Sequence, residues 1–318
     1  MKTTFLKIKI LLLFACYTAT AQDYTKVDNL VKSYPTSYKT PAQLAERIAA
    51  DFQREDERAR ALFTWIAYNI SFDESPAALG RKPVRYSYTT EAERLAKVAE
   101  IENDLAEETL RRKKGVCHGY SMVYALTARK LGMECEVVRG NAKSIPSDIG
   151  KPASPSNHAW NAVKINGEWK LLDVTWGAGG FTGRSKKFDF RFDDKYFFTE
   201  PELFFINHFP EDKKWLLTTK NERDYAVQPL YYDLGYHIVQ PNEGLLKAKN
   251  EGVLTFKIKG LKATDEVAYQ FSSAPFSKKV EPKIFADTGE FDVLFDRTTR
   301  GILTIFVNKQ SVVAYSVK

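Results

Sequence analysis

Three cysteines in 318 residues are too few for a disulfide-held scaffold. Seventeen glycines and thirteen prolines, without a repeating period, exclude collagen-like and low-complexity chains. The four histidines and three cysteines form no C-x-x-C, H-x-x-x-H or H-E-x-x-H spacing, so the close-spaced pair that zinc sites normally show is missing. No D-x-D-x-D-G loop suggests calcium, no glycine-rich loop suggests a nucleotide phosphate, and no G-x-S-x-G elbow suggests a serine hydrolase. Neither a cofactor nor a metal is therefore expected. No period of 20–50 residues points to a solenoid or propeller. Positive charge is scarce as well. The formal excess is +7, but Lys2, Lys7 and Lys9 fall in an acid-free leader, and the rest carries 44 basic against 40 acidic side chains. Nucleic-acid binders concentrate more charge than that, so no nucleic-acid partner is expected.

The first 21 residues combine a lysine-bearing start, an apolar run from Ile10 to Ala15 and Ala19-Thr20-Ala21. That order reads as a secretory signal peptide cleaved near Ala21, giving a secreted or periplasmic protein. A rival reading lipidates Cys16; the bulky Phe14 fits it poorly. Membrane attachment is expected only in that case, because the apolar run is shorter than the roughly 20 residues a bilayer helix needs. Once Cys16 has left, Cys117 and Cys135 remain in an oxidising compartment, where one disulfide between them is the competing expectation.

The mature chain reads as helices first and strands afterwards. Leu44, Ile48 and Phe52 recur at four-residue spacing, and residues 59–67 form a second apolar helix ending near Asn69. A loop around Pro76, Gly80 and Pro83 precedes a helix from Glu91 to Lys114 with Leu95, Val98, Ile101 and Leu105 on one side. Gly115 stops that helix, and the next starts close to Cys117 and runs to Lys130. A strand is expected over Glu134–Arg139, ended by Gly140, and then a polar loop from Asn141 to Asn157. Strands His158–Ile165 and Glu168–Trp176 flank Asn166-Gly167, the strongest short hairpin signal. Beyond a break in Thr219–Gln240, short alternating strands suggest a small all-β sandwich over residues 228–318. The expected division is 1–21, 22–220 and 228–318.

Cys117, His158 and Asp173 carry the candidate chemistry. A helix N-terminus and a nearby imidazolium both favour a thiolate, and Cys117 opens a helix. A two-residue turn at Asn166-Gly167 pairs Ile165 with Glu168, which sets Trp160 opposite Asp173 and His158 opposite Thr175. These four then share one face, and Asp173 becomes the diagonal neighbour of His158, able to orient the imidazole. Trp160 and Thr175 become substrate-site candidates on that face. The bland alternatives are a buried Cys117, a core histidine and an Asp173 that merely caps a strand. His118 lies about 100° around the helix from Cys117, and His208 and His237 have no visible partners. The run Arg111-Arg112-Lys113-Lys114 reads as a complement to a helix C-terminus before it reads as a substrate patch.

Three blocks, 115–120 (GVCHGY), 157–161 (NHAWN) and 169–176 (WKLLDVTW), resemble the transglutaminase-like superfamily. They are most similar to the bacterial relatives of the kyphoscoliosis-type peptidases. Residues 59–73 and the stretch from Tyr196 through His208-Phe209-Pro210 to Trp215 agree with that resemblance, which covers roughly residues 40–220. It implies an α+β, papain-like core, in which a helix carrying Cys packs on an antiparallel sheet, with the β-sandwich following. It also implies thiol acyl transfer by a Cys117–His158–Asp173 triad. Trp65 becomes, by its family position, a candidate second oxyanion donor, with an ordinary core tryptophan as the competing reading. The spacing departs from papain: His158 follows Cys117 by 41 positions, against about 130–150 there. A secreted cysteine peptidase or amidohydrolase acting on a protein, peptide or peptidoglycan stem is the expected function. Transglutaminase-type cross-linking and a non-catalytic scaffold are the alternatives.

Overall fold

The computed structural model describes residues 22–80, 84–181, 187–247, 252–296 and 299–318. The leader of residues 1–21 with Cys16, and Pro83 of the expected loop, lie outside the described residues. Helices α1 (Thr25–Lys32), α2 (Pro41–Asp51) and α3 (Glu55–Asn69) come first. Thr40 caps α2 by accepting the Gln43 N–H, and Pro41 occupies the first turn, where its missing N–H costs nothing. Leu44 and Ile48 are fully buried, with Phe52 beside them at the helix end. Residues 59–67 of α3 are buried on every side, which makes it an internal helix.

Strand β1 (Ser71–Phe72) and the short helix α4 (Pro76–Leu79) follow, so the expected loop contains a helical turn capped by Ser75. Helix α5 (Glu91–Arg112) begins at a Thr90 cap and ends where Lys113 turns left-handed at φ 51°. Its apolar stripe is covered only at one end. Leu95 is 56% exposed, and only Ala106, Thr109 and Leu110 near the C-terminal end are buried. Periodicity marks an amphipathic helix, but the core reaches only its last turns. Strand β2 (Lys114–Gly115) then pairs in parallel with β1, and α6 (Cys117–Lys130) packs against α5. A Cβ on Gly119 would stand 2.6 Å from Thr109 Oγ1, so the two helices approach as closely as glycine permits.

The site is built on a five-stranded antiparallel sheet. Its strands are β3 (Cys135–Ala142), β4 (His158–Ile165), β5 (Glu168–Leu172), β8 (Phe197–Thr199) and β9 (His208–Pro210), in the order β8-β5-β4-β3-β9. Asn166 and Gly167 are both left-handed, at φ 49° and 87°, and Ile165 pairs with Glu168 as the hairpin signal requires. Two strand boundaries differ from expectation. Strand β3 runs through Gly140 to Ala142, because the missing side chain lets Phe209 and Trp160 close over it. Strand β5 stops at Leu172, because Asp173 caps the short helix α7 (Val174–Ala178) instead of continuing the ladder. His158 therefore pairs with Gly140 and has no cross-strand partner at Thr175. The hairpin of β6 (Gly179–Phe181) and β7 (Phe188–Phe190) and helices α8 (Pro201–Phe204) and α9 (Glu222–Val227) complete this region.

The remaining strands form two facing sheets. One contains β10 (Leu230–Tyr231), β12 (Leu245–Leu246), β14 (Val267–Phe271), β15 (Lys278–Val280), β18 (Gly301–Val307) and β19 (Gln310–Val317). The other contains β11 (His237–Gln240), β13 (Gly252–Lys259), β16 (Lys283–Phe285) and β17 (Thr288–Phe295). Alternate residues point inward: Phe256 stacks on Phe291 and meets Tyr315 across the sandwich at 5.3 Å. Lys143, fully buried, ties the loop before β4 to α9 and the chain leading into β10, and Ile149 of the same loop reaches the sandwich. Its Nζ donates to the carbonyls of Ile206, Tyr225 and Gln228, and Ile149 packs on Leu230 and Ala314.

Candidate active site

Val116, the residue before α6, is extended and supplies no side-chain cap. The first N–H groups of α6 are thus left for another acceptor, at the positive end of the helix. The β1–β2 pair steadies this turn, with Asp73 N donating to Gly115 O at 3.0 Å. Buried Asp73 receives Arg112 at 3.0 Å and Lys114 at 3.6 Å, while Arg111 reaches Glu107. The basic run thus serves its own helix and turn.

Cys117 lies beside His158 and the N–H of Ala159, both of which favour its thiolate. Burial raises the thiol's pKa, but His158 and the Ala159 N–H outweigh it and bring the pKa below the ordinary thiol value. His158 Nε2 lies 2.6 Å from Asp173 Oδ2, which leaves Nδ1 to exchange a proton with the thiol. Burial alone would depress the imidazole, yet the charge and hydrogen bond of Asp173 and the thiolate push it up to about 10. Despite complete burial, the two neighbouring imidazoles hold the Asp173 carboxyl well below the carboxylate range. Its other oxygen, Oδ1, accepts the N–H groups of Thr175 at 2.9 Å and Trp176 at 3.1 Å. The residue that caps α7 is therefore the one that orients the histidine.

His208, expected to have no partner, is instead part of the cluster. Its Nε2 stands 3.1 Å from the same Asp173 Oδ2, and its ring stacks on Phe204 at 4.0 Å. It opens the three-residue strand β9 and pairs with Ala142, 35 positions beyond Asp173. Only its place in the block His208-Phe209-Pro210 could have drawn attention to it. His158, Asp173 and His208 present ligand atoms within 4.8 Å of one another. Ligands about 2.0–2.2 Å from a tetrahedral zinc sit more than about 3 Å apart. The 2.6 Å contact is shorter and fits a shared proton.

The other candidates separate. Trp65 is fully buried and donates its Nε1–H to Pro35 O at 3.0 Å, so its N–H is committed away from the site and the oxyanion expectation fails. Trp160 is also buried. Its ring packs 5.1 Å from His208 and 6.1 Å from His158, so it backs the histidines and does not line the cleft. Thr175 does line the cleft. His118 is half-buried, and burial together with the charge of Arg139 pushes its pKa down. Cys117 and Cys135 are both free, so the expected alternative of a disulfide is not realised. Burial in β3 pushes the Cys135 thiol far up. A cleft of about 430 Å³ opens beside His158, with Phe72, Ser144, Asn157, Thr175 and Trp176 among its walls.

Residues 42–174 match the family model of the transglutaminase-like superfamily. The kyphoscoliosis peptidase of Homo sapiens is 30% identical over 245 residues, 76% of this chain and 33% of the human protein. Hillarin of Drosophila melanogaster is 22% identical over 243 residues, 69% of this chain and 27% of that protein. This chain thus spans about a third of the length of the relatives it matches. A crystal structure of a TGase aligns at 20% identity over 58% of this chain and 40% of that one, with a TM-score of 0.30.

Proposed function

We propose that this chain, whose residues 42–174 form a transglutaminase-like domain, is a cysteine peptidase or amidohydrolase working through Cys117, His158 and Asp173. The 2.6 Å contact of His158 Nε2 with Asp173 Oδ2, with Cys117 beside the same imidazole at the start of α6, is the observation that carries this reading. The Cys117 thiolate attacks an amide carbonyl, and the resulting oxyanion is received by the Cys117 N–H at the start of α6. His158, protonated at Nδ1, passes that proton to the leaving nitrogen as the C–N bond breaks and a thioester remains. Water then gives a proton back to His158 and attacks the thioester, which releases the acid and restores the thiolate. Asp173 keeps the imidazole in the productive tautomer and balances its charge. The peptidase name of the human and mouse relatives supports water over an amine as the acceptor.

Two further readings belong to the same proposal. The signal-like leader supports export, and N-terminal sequencing of the exported protein should begin near Gln22. The cleft beside His158 supports a peptide-like substrate lying across the loop that ends at Asn157.

Iodoacetamide labelling of reduced protein at pH 6 tests the mechanism. Cys117 should alkylate well before Cys135, and the preference should vanish in H158A. Equal labelling in the parent protein would sink the thiolate–imidazolium pair. Incorporation of a labelled primary amine into a glutamine-containing protein would move the assignment to cross-linking.

A further inference from the structure

Asp173 is engaged by four donors. Oδ1 holds the backbone N–H groups of Thr175 and Trp176, and Oδ2 holds His158 at 2.6 Å and His208 at 3.1 Å. An ionised carboxylate offers about four acceptor positions, so this set is complete. Asp173 is 0% exposed, and no solvent replaces a partner that leaves. In the reaction proposed above, His158 alternates between imidazolium and neutral imidazole. When it is neutral, the buried carboxylate no longer faces a cation, and the remaining donors must hold it ionised and aimed. Two of these are backbone groups on the far oxygen. On the oxygen that faces His158, the donor besides the Nε2–H of His158 itself is His208.

The ring is built to stay there. It stacks on Phe204, with ring planes 18° apart, and Trp176 and Trp160 pack at 4.5 and 5.1 Å. Its Nδ1 lies 3.3 Å from Phe204 O, a longer contact than the one Nε2 makes with the carboxylate. A charged acceptor attracts the proton more strongly than a carbonyl does, which favours the Nε2–H tautomer. Burial lowers the pKa of His208, Asp173 pulls it back up and His158 presses it down, and the net direction is toward the neutral ring. The other titratable groups near the carboxylate are Cys117, Tyr120 and Tyr196. Burial holds both tyrosines protonated far above their ordinary range, so neither changes charge during turnover.

We propose that His208, which lies beyond the matched span of residues 42–174, is a positioning residue: its Nε2–H holds Asp173 on His158 while His158 is neutral. The proposal rests on the acyl-transfer reading, and it concerns the half-reaction in which His158 takes a proton from water.

p-Nitrophenyl acetate is a suitable acyl donor, since its burst reports acylation of Cys117 and its steady rate reports thioester hydrolysis. H208F keeps a flat ring but has no N–H. It should preserve the burst, slow the steady rate about tenfold or more, and lower KM in parallel, so that kcat/KM stays within about twofold. The pH at which the steady rate half-develops should move upward, because a less shared Asp173 holds the His158 proton longer. H208Q restores a donor and should return the rate to within about threefold of the parent. An H208F rate and pH profile equal to the parent's overturns the proposal, as does an H208Q no better than H208F at an equal melting midpoint. Nitrogen-15 NMR of the parent protein gives a reading independent of any variant: His208 should carry its proton on Nε2, and an Nδ1–H tautomer overturns the proposal. Failure of the underlying reading looks different, because the parent itself would then show no burst at Cys117.

Discussion

The helix-and-sheet region and the β-sandwich bury comparable apolar side chains but treat charge in opposite ways. In the first, Arg60 is 4% exposed and forks onto Asp28 at 2.8 and 2.6 Å, and Asp173 and His208 are sealed beneath the cleft. In the second, Thr299 is the only buried polar or charged residue among those described beyond His208. Buried charge stabilises a fold poorly and survives only when fully partnered. A region that carries several such groups is organised around what they do; a region without them is organised around packing. The sandwich's tie to the site is structural, through Ile149 in the loop that supplies the cleft wall.

The sharpest way to break this contrast is D173A. It leaves four donors without their acceptor, and should abolish preferential alkylation of Cys117 and reduce the unfolding free energy by about 3–5 kcal/mol. Labelling kinetics beside urea unfolding read both effects. F256A should remove a comparable 3–5 kcal/mol from the sandwich through the cavity it leaves, with the Cys117 labelling rate unchanged. A slowed rate would mean that packing in the sandwich reaches the site.

The pH dependence of stability separates the regions further. His158 is held protonated to about 10 in the folded chain, against 6.5 for the free side chain. Its contribution is whole below pH 6.5 and is lost as pH rises through 10. Asp173 works in the opposite direction: its contribution is present above the ordinary carboxyl pKa and is lost in acid. Urea midpoints should therefore fall between pH 7 and 10, and H158A should flatten that alkaline fall. The smallest expected effect is that of W65F, which loses one hydrogen bond to Pro35. About 1 kcal/mol of stability should go, and alkylation of Cys117 should stay at the parent rate. A large loss of reactivity would return Trp65 to the site.

What was legible in the chain was local. Helix α6 begins at Cys117 because the chain is extended at Val116, and the β4–β5 register follows from two left-handed residues at Asn166-Gly167. The end of β5 was also within reach, since Asp173 before a short apolar run is a helix-cap signal. The hairpin signal at Asn166-Gly167 locates the start of the strand and leaves its end open, so the expectation runs on to Trp176. The stripe on α5 marks a different limit. Periodicity reports which side of a helix is apolar and says nothing of whether another element covers it, and Leu95 stays exposed. His208 was out of reach, because a three-residue strand carries no pattern and its partner strand lies more than 60 positions earlier in the chain.

By itself, the sequence determined where a thiol meets a helix N-terminus, which hairpin carries the histidine, and that an aspartate lies close by. Backbone preferences over a few residues decide those matters. Only the tertiary structure decided that two histidines share the carboxylate, that Trp65 spends its N–H on Pro35, and that Ile149 joins the cleft loop to the sandwich. Each of these depends on segments distant in sequence packing together. Burial then forces every polar group brought inside to find a partner, and which partner it finds is settled by the fold as a whole.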